Sequence, residues 1–461
     1  MKAILPELDH KSHISIYMQL FTYIRDAILS GEIVPMEKLP SLRNLSEDLN
    51  ISLTTAGLAY SQLEMEGYIF SKPRSGYYVS EIYNPSEDIH PRETHDAPPP
   101  PINSENLDTL ILGTPQQRFK ERYDLSSFDF VKWKKCFSKV LNDYPQTLLF
   151  ESDPQGEEAL RYEIARYVFS SRGVKCAKEQ IVIAAGTQQL SSLLALLLRR
   201  MGISHIAVED PGYDPAISSF EDHNYAITKV PVAQDGIMIE KLPANIAAAA
   251  YVNPSNQFPT GAIMPISRRY QLLEWAAVNN SYVIEDDYDS ELRYIGKPFP
   301  AMQGLDKNEK VIYLGSFSST LFASVKISYM VMPQPVASIF QKIRSTYTQT
   351  CSKAEQLTLA LFMDNGYYRT GIKKLRRMNS QKLEAVTKTL EGYAEVRARN
   401  TYSGINLMLN TSDEKTADRI LRNASHLGLD VRPLGPCTLN FYYNQIPAGD
   451  IPELIEEMLE K

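Results

Sequence analysis

Four stretches of the chain concentrate side chains able to do chemistry. In "VIYLGSFSSTLFASVKISYMVMP" (311–333) an apolar, strand-like run breaks into Ser316, Phe317, Ser318, Ser319 and Thr320, and the next cation downstream is Lys326. A hydroxyl-rich turn between two buried runs offers donors and acceptors to a polar group, and the ammonium adds charge. "AAGTQQ" sets Gly186, Thr187 and Gln188 at a helix start, where unpaired amides favour a phosphate. "EDDYDSELRY" ends another apolar run in Asp286 and Tyr288. Near the N-terminus, Ser52, Thr54 and Thr55 open a short helix, with Arg43 before it and Lys72, Arg74 and Gly76 after it. Each stretch alone is common; what matters is their order along one chain.

Composition excludes several other chemistries. Cys136, Cys176, Cys351 and Cys437 are scattered without CxxC pairs, which argues against a disulfide framework or a zinc site and for buried thiols. The seven His are dispersed, and only His10 and His13 lie close together. No apolar run is long enough to span a bilayer, and "MKAILPELDH" lacks the apolar core of a signal peptide, so a cytoplasmic location is expected. With a formal net charge of -7, any affinity for DNA must come from a local patch.

At 461 residues the chain exceeds what one core usually organises, so at least two domains are expected. In the first, Ile16, Leu20, Ile24, Ala27 and Ile28 share a helical face that Gly31 terminates. A second short helix follows Ser41 with Leu42, Leu45 and Leu49 on one side. A third follows the N-cap Ser52 and turns Ala56, Ala59, Tyr60 and Leu63 inward until Gly67. "YIFSKPRSGYYVS" then alternates and turns at Pro73 and Gly76, the pattern of a hairpin. Three small helices and a hairpin make a winged helix-turn-helix over residues 1–82.

Residues 83–106, with four consecutive prolines, cannot build a core and are read as a stiff linker. Over 107–461, helical stretches alternate with short runs such as "QIVIAAG", "HIAVEDPGY", "YVIEDDYD" and "KISYMVMP". Each run ends abruptly in polar or glycine-rich residues. That is an α/β pattern with a mostly parallel sheet whose strand ends face a ligand. The tail after about Glu355 is helix-rich and closes on a small α/β subdomain.

The stretch 39–79 resembles the winged helix of the GntR family, by "LPSxRxL", the Ser-initiated helix, "AYxxLExEGY" and the "SGxxV" wing. The resemblance implies DNA contacts from Arg43, Ser52, Thr54, Thr55, Lys72, Arg74 and Gly76. Departures are Leu53 where the family has Arg and Met36 where it has Gly. Residues 1–80 also carry seven Lys or Arg against nine Asp or Glu, whereas DNA-binding domains are usually basic. A winged helix kept only for protein contact is the alternative.

Beyond the linker the motifs follow the order of fold-type I aminotransferases, enzymes of pyridoxal 5'-phosphate (PLP). Together the parts resemble MocR/GabR-type regulators over essentially the whole chain. The resemblance implies a phosphate cradle at Gly186, Thr187, Gln188, Ser316 and Ser318, and Tyr213 over the cofactor ring. It implies Asp286 at the pyridine nitrogen and Tyr288 at the phenolate oxygen, with Asn256 nearby. The family writes the hydroxyl-rich segment as "GTFSKxLxPxLRxGY"; alignment puts Ser319 at its Schiff-base lysine and Lys326 at its phosphate arginine. A serine hydroxyl cannot form an imine, and an ammonium attracts phosphate without a guanidinium's fork. Ser328 replaces a family glycine, and "CTLNFYY" lacks the arginine that grips a substrate carboxylate.

The implied function is a DNA-binding regulator whose aminotransferase-like domain holds PLP non-covalently, or senses a PLP adduct or amino-acid-like effector. It would act as a dimer, head to tail as in the resembled family. An active aminotransferase with an attached DNA-binding domain, and a PLP-free sensor, are the competing readings.

Overall fold

The computed structural model describes residues 8–81, 124–294, 299–399, 401 and 403–460. The chain divides into two compact units, Met1–Asn103 and Ser104–Lys461. The expected linker at 83–106 lies outside the described residues.

In the first unit three helices pack into one core: α1 (Ile16–Leu29), α2 (Leu42–Asp48) and α3 (Leu53–Met65). Helix α1 buries Leu20, Phe21, Ile24, Ala27 and Ile28. Ile16, expected inside, is only half-buried, because the first turn overhangs the core and Phe21 fills the stripe instead. Ser41 and Ser52 both cap their helices, accepting from the amides of Asn44 (3.2 Å) and Thr55 (3.0 Å). The Tyr60 hydroxyl crosses the core to the Pro40 carbonyl at 3.0 Å, fixing α3 against the entry to α2. Strands β1 (Ile69–Lys72) and β2 (Gly76–Val79) form the antiparallel wing, and Lys38 bridges to Tyr78 as a short third strand. The wing's tip turns with Arg74 left-handed (φ 62) and Gly76 at φ 104.

The second unit is built on an eight-stranded sheet. Helices α4 (Phe130–Asp143) and α5 (Glu158–Arg172) precede β3 (Ile181–Ala184), α6 (Thr187–Arg200), β4 (His205–Asp210), α7 (Asp214–Asp222), β5 (Ala226–Ala233), β6 (Gly236–Ile237) and β7 (Ala249–Val252). Then come α8 (Ile266–Val278), β8 (Tyr282–Asp287), α9 (Met302–Leu305), β9 (Val311–Ser316), β10 (Ser328–Val331), α10 (Gln334–Ile343) and α11 (Lys353–Asp364). The strand order is β3-β10-β9-β8-β7-β4-β5-β6. Strands β5, β4, β7, β8 and β9 run parallel, whereas β10 is antiparallel to both its neighbours.

Strands β3, β7, β8 and β10 are buried along their whole length because helices cover both faces. Leu190, Leu194 and Leu198 of α6 pack with Phe220 and Phe340 on Ile284, Ile312 and Leu314. On the opposite face α5 and α11 bury Leu160, Ile164 and Leu359 against Ile181, Ile183 and Tyr313, while α8 lays Leu272 and Ala276 on Val283 and Val311. Alternate residues of one strand thus enter different cores, as a period of two requires.

The 24-residue helix α12 (Tyr367–Leu390) leads to β11 (Val396–Arg399), β12 (Asn406–Thr411), α13 (Glu414–Leu427), β13 (Val431–Gly435), β14 (Thr438–Tyr442) and α14 (Ile451–Leu459). Their antiparallel sheet, ordered β11-β12-β14-β13, packs on α12, α13 and α14 through Leu407, Leu439, Phe441 and Ile455. Cys136 and Cys351 are buried, but Cys176 and Cys437, also expected inside, are only partly so. Both sit in connecting segments, Cys437 at the β13–β14 turn. Among the described residues no helix is long and apolar enough to cross a membrane.

Candidate functional site

Strand registers bring the chemistry-bearing turns together at one end of the large sheet's strands. Ser328 is paired with Ala184 on one side and Ser316 on the other, and Asp287 with Gly315. The residues just past Ala184, at the end of β8 and around Ser316 therefore converge, although 132 residues separate Ala184 from Ser316 in sequence.

The β3 end turns into α6 through Gly186 at φ 96, ψ 165, a backbone that favours glycine. A Cβ there would meet nothing within 4 Å, so the space over the turn is open. Thr187 and Gln188 begin α6, and first-turn amides have no intrahelical acceptor, so they present partial positive charge outward.

Asp286 lies near the end of β8 and is 5 % exposed. Its Oδ2 accepts from the Tyr251 hydroxyl at 2.6 Å, and its carbonyl accepts from Asn253 Nδ2 at 3.0 Å. Its Oδ1 is buried with no hydrogen-bond partner. Burial lifts this carboxyl to about 6, against hydrogen bonds from Tyr251 and Asn253 that favour the anion. Glu209, on β4, is pushed up to about 8 by burial, so near neutrality it is mostly protonated and spares Asp286 a second negative charge.

Tyr213 caps α7 and meets Phe258 edge-on at 6.3 Å between centroids; Phe258 meets Tyr288 in the same way at 6.4 Å. Asn256 Nδ2 donates to Asp289 Oδ2 at 2.7 Å and to the Tyr288 hydroxyl at 3.4 Å. Ser403 Oγ donates to Asn256 Oδ1 at 3.3 Å. Burial, then Asp289, holds the Tyr288 phenol well above its ordinary value, so it is a neutral donor.

The hydroxyl-rich turn is internally wired. Ser319 Oγ donates to the Tyr288 carbonyl at 2.6 Å, tying the turn to the segment after β8. Ser316 Oγ accepts from the Ser318 amide (3.3 Å) and from Ser328 Oγ (3.0 Å). The Thr320 and Tyr368 hydroxyls pair at 3.0 Å. The buried Ser328 hydroxyl is thus satisfied by the partly buried Ser316. Lys326, expected on the following strand, is not there: β10 starts at Ser328, and Lys326 is the left-handed cap (φ 47) of a short turn over Ala323–Val325. Its side chain is exposed, because a residue outside the ladder is not forced into either core.

Tyr251, Asn253 and Glu209 were not singled out in the sequence. Their only signal is position at the ends of β7 and of β4, the next two strands on one side of β8, which becomes visible once the sheet order is known. Tyr442, at the end of β14, is another: its charge would be felt by Tyr213 and Tyr288, which brings the small sheet to the site. Of the DNA candidates, Ser52 and Thr55 hydroxyls bond each other at 2.8 Å, and the Lys72 ammonium lies 4.5 Å from the Tyr78 ring centroid. Thr54 and Arg43 are exposed.

The comparisons with known proteins agree with this architecture. Residues 16–79 match the model for bacterial regulatory proteins of the gntR family, and residues 124–429 match aminotransferase class I and II. The chain is 39% identical over 435 residues to the HTH-type transcriptional regulator YdeL of Bacillus subtilis, covering 94% of this chain and 91% of that protein. It is 32% identical over 384 residues to the probable rhizopine catabolism regulatory protein MocR of Rhizobium meliloti, covering 81% and 77%. An archaeal alanine:glyoxylate aminotransferase structure superposes with a TM-score of 0.65 at 20% identity, over 77% of this chain and 94% of that one, and shows the fold. The chain belongs to the MocR-like HTH-type transcriptional regulators, in which a GntR winged helix is joined to an aminotransferase class I and II domain.

Proposed function

We propose that the aminotransferase-like unit is a sensor that holds PLP, or a PLP adduct of an amino-acid-like molecule, without a covalent lysine link. The bound ligand then biases how the winged helices engage operator DNA. The observation that carries this is Ser319. Where the resembled family keeps its lysine stands a hydroxyl, already committed to the Tyr288 carbonyl at 2.6 Å.

The residues present fit the cofactor. The buried, unpartnered Asp286 Oδ1 is a ready acceptor for a protonated ring nitrogen, and the open turn at Gly186 leaves room for a phosphate. Thr187, Gln188, Ser316, Ser318 and Lys326 would hold that phosphate, Tyr213 would cover the ring, and Tyr288 with Asn256 would face the phenolate oxygen. When bound, PLP supplies an aldehyde that condenses with amines. The protein's own part is to bind and orient the ring, with Asp286 keeping its nitrogen charged. Lys326 contributes an ammonium as a point charge rather than a covalent anchor.

The functional species is a homodimer, because two half-sites need two recognition helices at fixed spacing, and the resembled family implies a head-to-tail arrangement. Operator DNA places its action in the cytoplasm. The test compares the purified protein with its Ser319→Lys variant after adding PLP and reducing with borohydride. Only the variant should carry a reduced covalent adduct on a lysine, while both show saturable quenching of intrinsic fluorescence. A reduced adduct on the unmodified protein would favour an active aminotransferase, and no quenching in either would favour a PLP-free sensor.

A further inference from the structure

Helix α3 presents an uncharged face outward. Ala56, Ala59, Tyr60 and Leu63 turn into the core, so the opposite side carries Thr54, Leu58 and Ser61, with Leu53 at the tip. Leu53 is 55% exposed and Leu58 52%. No Lys or Arg occurs in residues 52–66, and the basic residues flanking α3 are Arg43 on α2 and Lys72 and Arg74 on the wing. The hydroxyls of Ser52 and Thr55 are bonded to each other, and Ser52 also caps the helix. The head of this helix therefore has little hydrogen-bonding capacity left and none of the bidentate donors that read guanine.

In the major groove, the one apolar group on a base edge is the C5-methyl of thymine. We propose that Leu53 reads this methyl, so that each operator half-site requires a thymine beneath the head of α3, while Arg43, Lys72 and Arg74 hold phosphates. This rests on the reading of α3 as the recognition helix of a DNA-binding dimer. A leucine at this place is then a specificity element, and its apolar exposure is what a methyl contact needs. Burying one methyl group is worth roughly a fourfold change in affinity.

The experiment uses the full chain. A preferred duplex is selected from a randomised double-stranded library at one fixed salt concentration. It is then resynthesised with each thymine replaced singly by uracil, which deletes only the methyl. The expected result is one position in each half-site where uracil weakens binding about fourfold, with no such penalty for Leu53→Ala, which still binds the thymine duplex. Leu53→Arg should move the preference at that position towards guanine. The inference is overturned if no uracil position carries a penalty, or if the penalty survives in Leu53→Ala. Either of those outcomes would leave DNA binding intact and free Leu53 for a protein contact. Failure to select any duplex would instead overturn the DNA-binding reading and this inference with it.

Discussion

Asp286 shows how one buried carboxylate sets a pH window. Its folded value of about 6 is above the ordinary 3.8, so the folded chain binds this proton more tightly than the unfolded chain does. This group's contribution is therefore most favourable below about pH 4 and is lost as pH rises through 6. Ligand binding runs the other way, since a charged ring nitrogen needs the anion. PLP affinity should weaken as pH falls from 7.5 to 5.5, and Asp286→Asn should bind weakly with a flatter profile in fluorescence titrations. The remaining slope in that variant belongs to the phosphate, whose second ionisation lies near 6. Asp286 was legible in the sequence because an acidic strand end in an ordered set of motifs is a strong signal. Its hydroxyl partner Tyr251 was not, because that contact exists only once β7 lies beside β8. Asn256 was named from the sequence as a candidate, but its bond to Asp289 was not foreseen.

At the level of elements, caps and periodicity carried most of the reading. Ser41 and Ser52 announced α2 and α3, and the inward residues of α3 are those its spacing predicts. What the pattern could not convey is backbone strain. Met36 adopts φ 65, a left-handed conformation that costs a side-chain-bearing residue roughly 1–2 kcal/mol. That accounts for the glycine the GntR resemblance leads one to expect there. Met36→Gly should stabilise the winged helix by about 0.5–1 kcal/mol, after allowing for the freer unfolded chain. Both tryptophans, Trp133 and Trp275, are in the second unit. Helical circular dichroism should therefore report the shift, and tryptophan fluorescence should be unmoved. Lys326 was misplaced by a related limit, since an apolar run does not reveal which of its first residues joins the ladder.

For the whole molecule, a net charge of -7 means that DNA binding depends on where a few cations are placed. If Arg43, Lys72 and Arg74 of each copy in a dimer neutralise phosphates, log K against log salt should have a slope of about −5.4. Arg74→Ala should bring it to about −3.6, removing one contact per copy. A slope near zero by fluorescence anisotropy would contradict the placement of these residues on phosphates. The net charge and the seven-to-nine balance of the first 80 residues could not show this, because totals do not record which face a charge occupies.

Strand β3 is at the edge of the large sheet, and among the described residues its only partner is the antiparallel strand β10. During synthesis from the N-terminus, β3 emerges from the ribosome well before the segment that completes its ladder. At typical elongation rates it waits roughly ten seconds or more. Until then its backbone donors and acceptors are open to pairing with another nascent chain. The turn that carries Ser319 precedes β10 by a few residues, so the part of the candidate site that the large sheet supplies and the sheet's closing seam are completed almost together, while Ser403 and Tyr442 follow later. Closure of the sheet is therefore also a checkpoint of biogenesis, and chains that stall before Val331 leave both the seam and the site's sheet-borne residues unfinished.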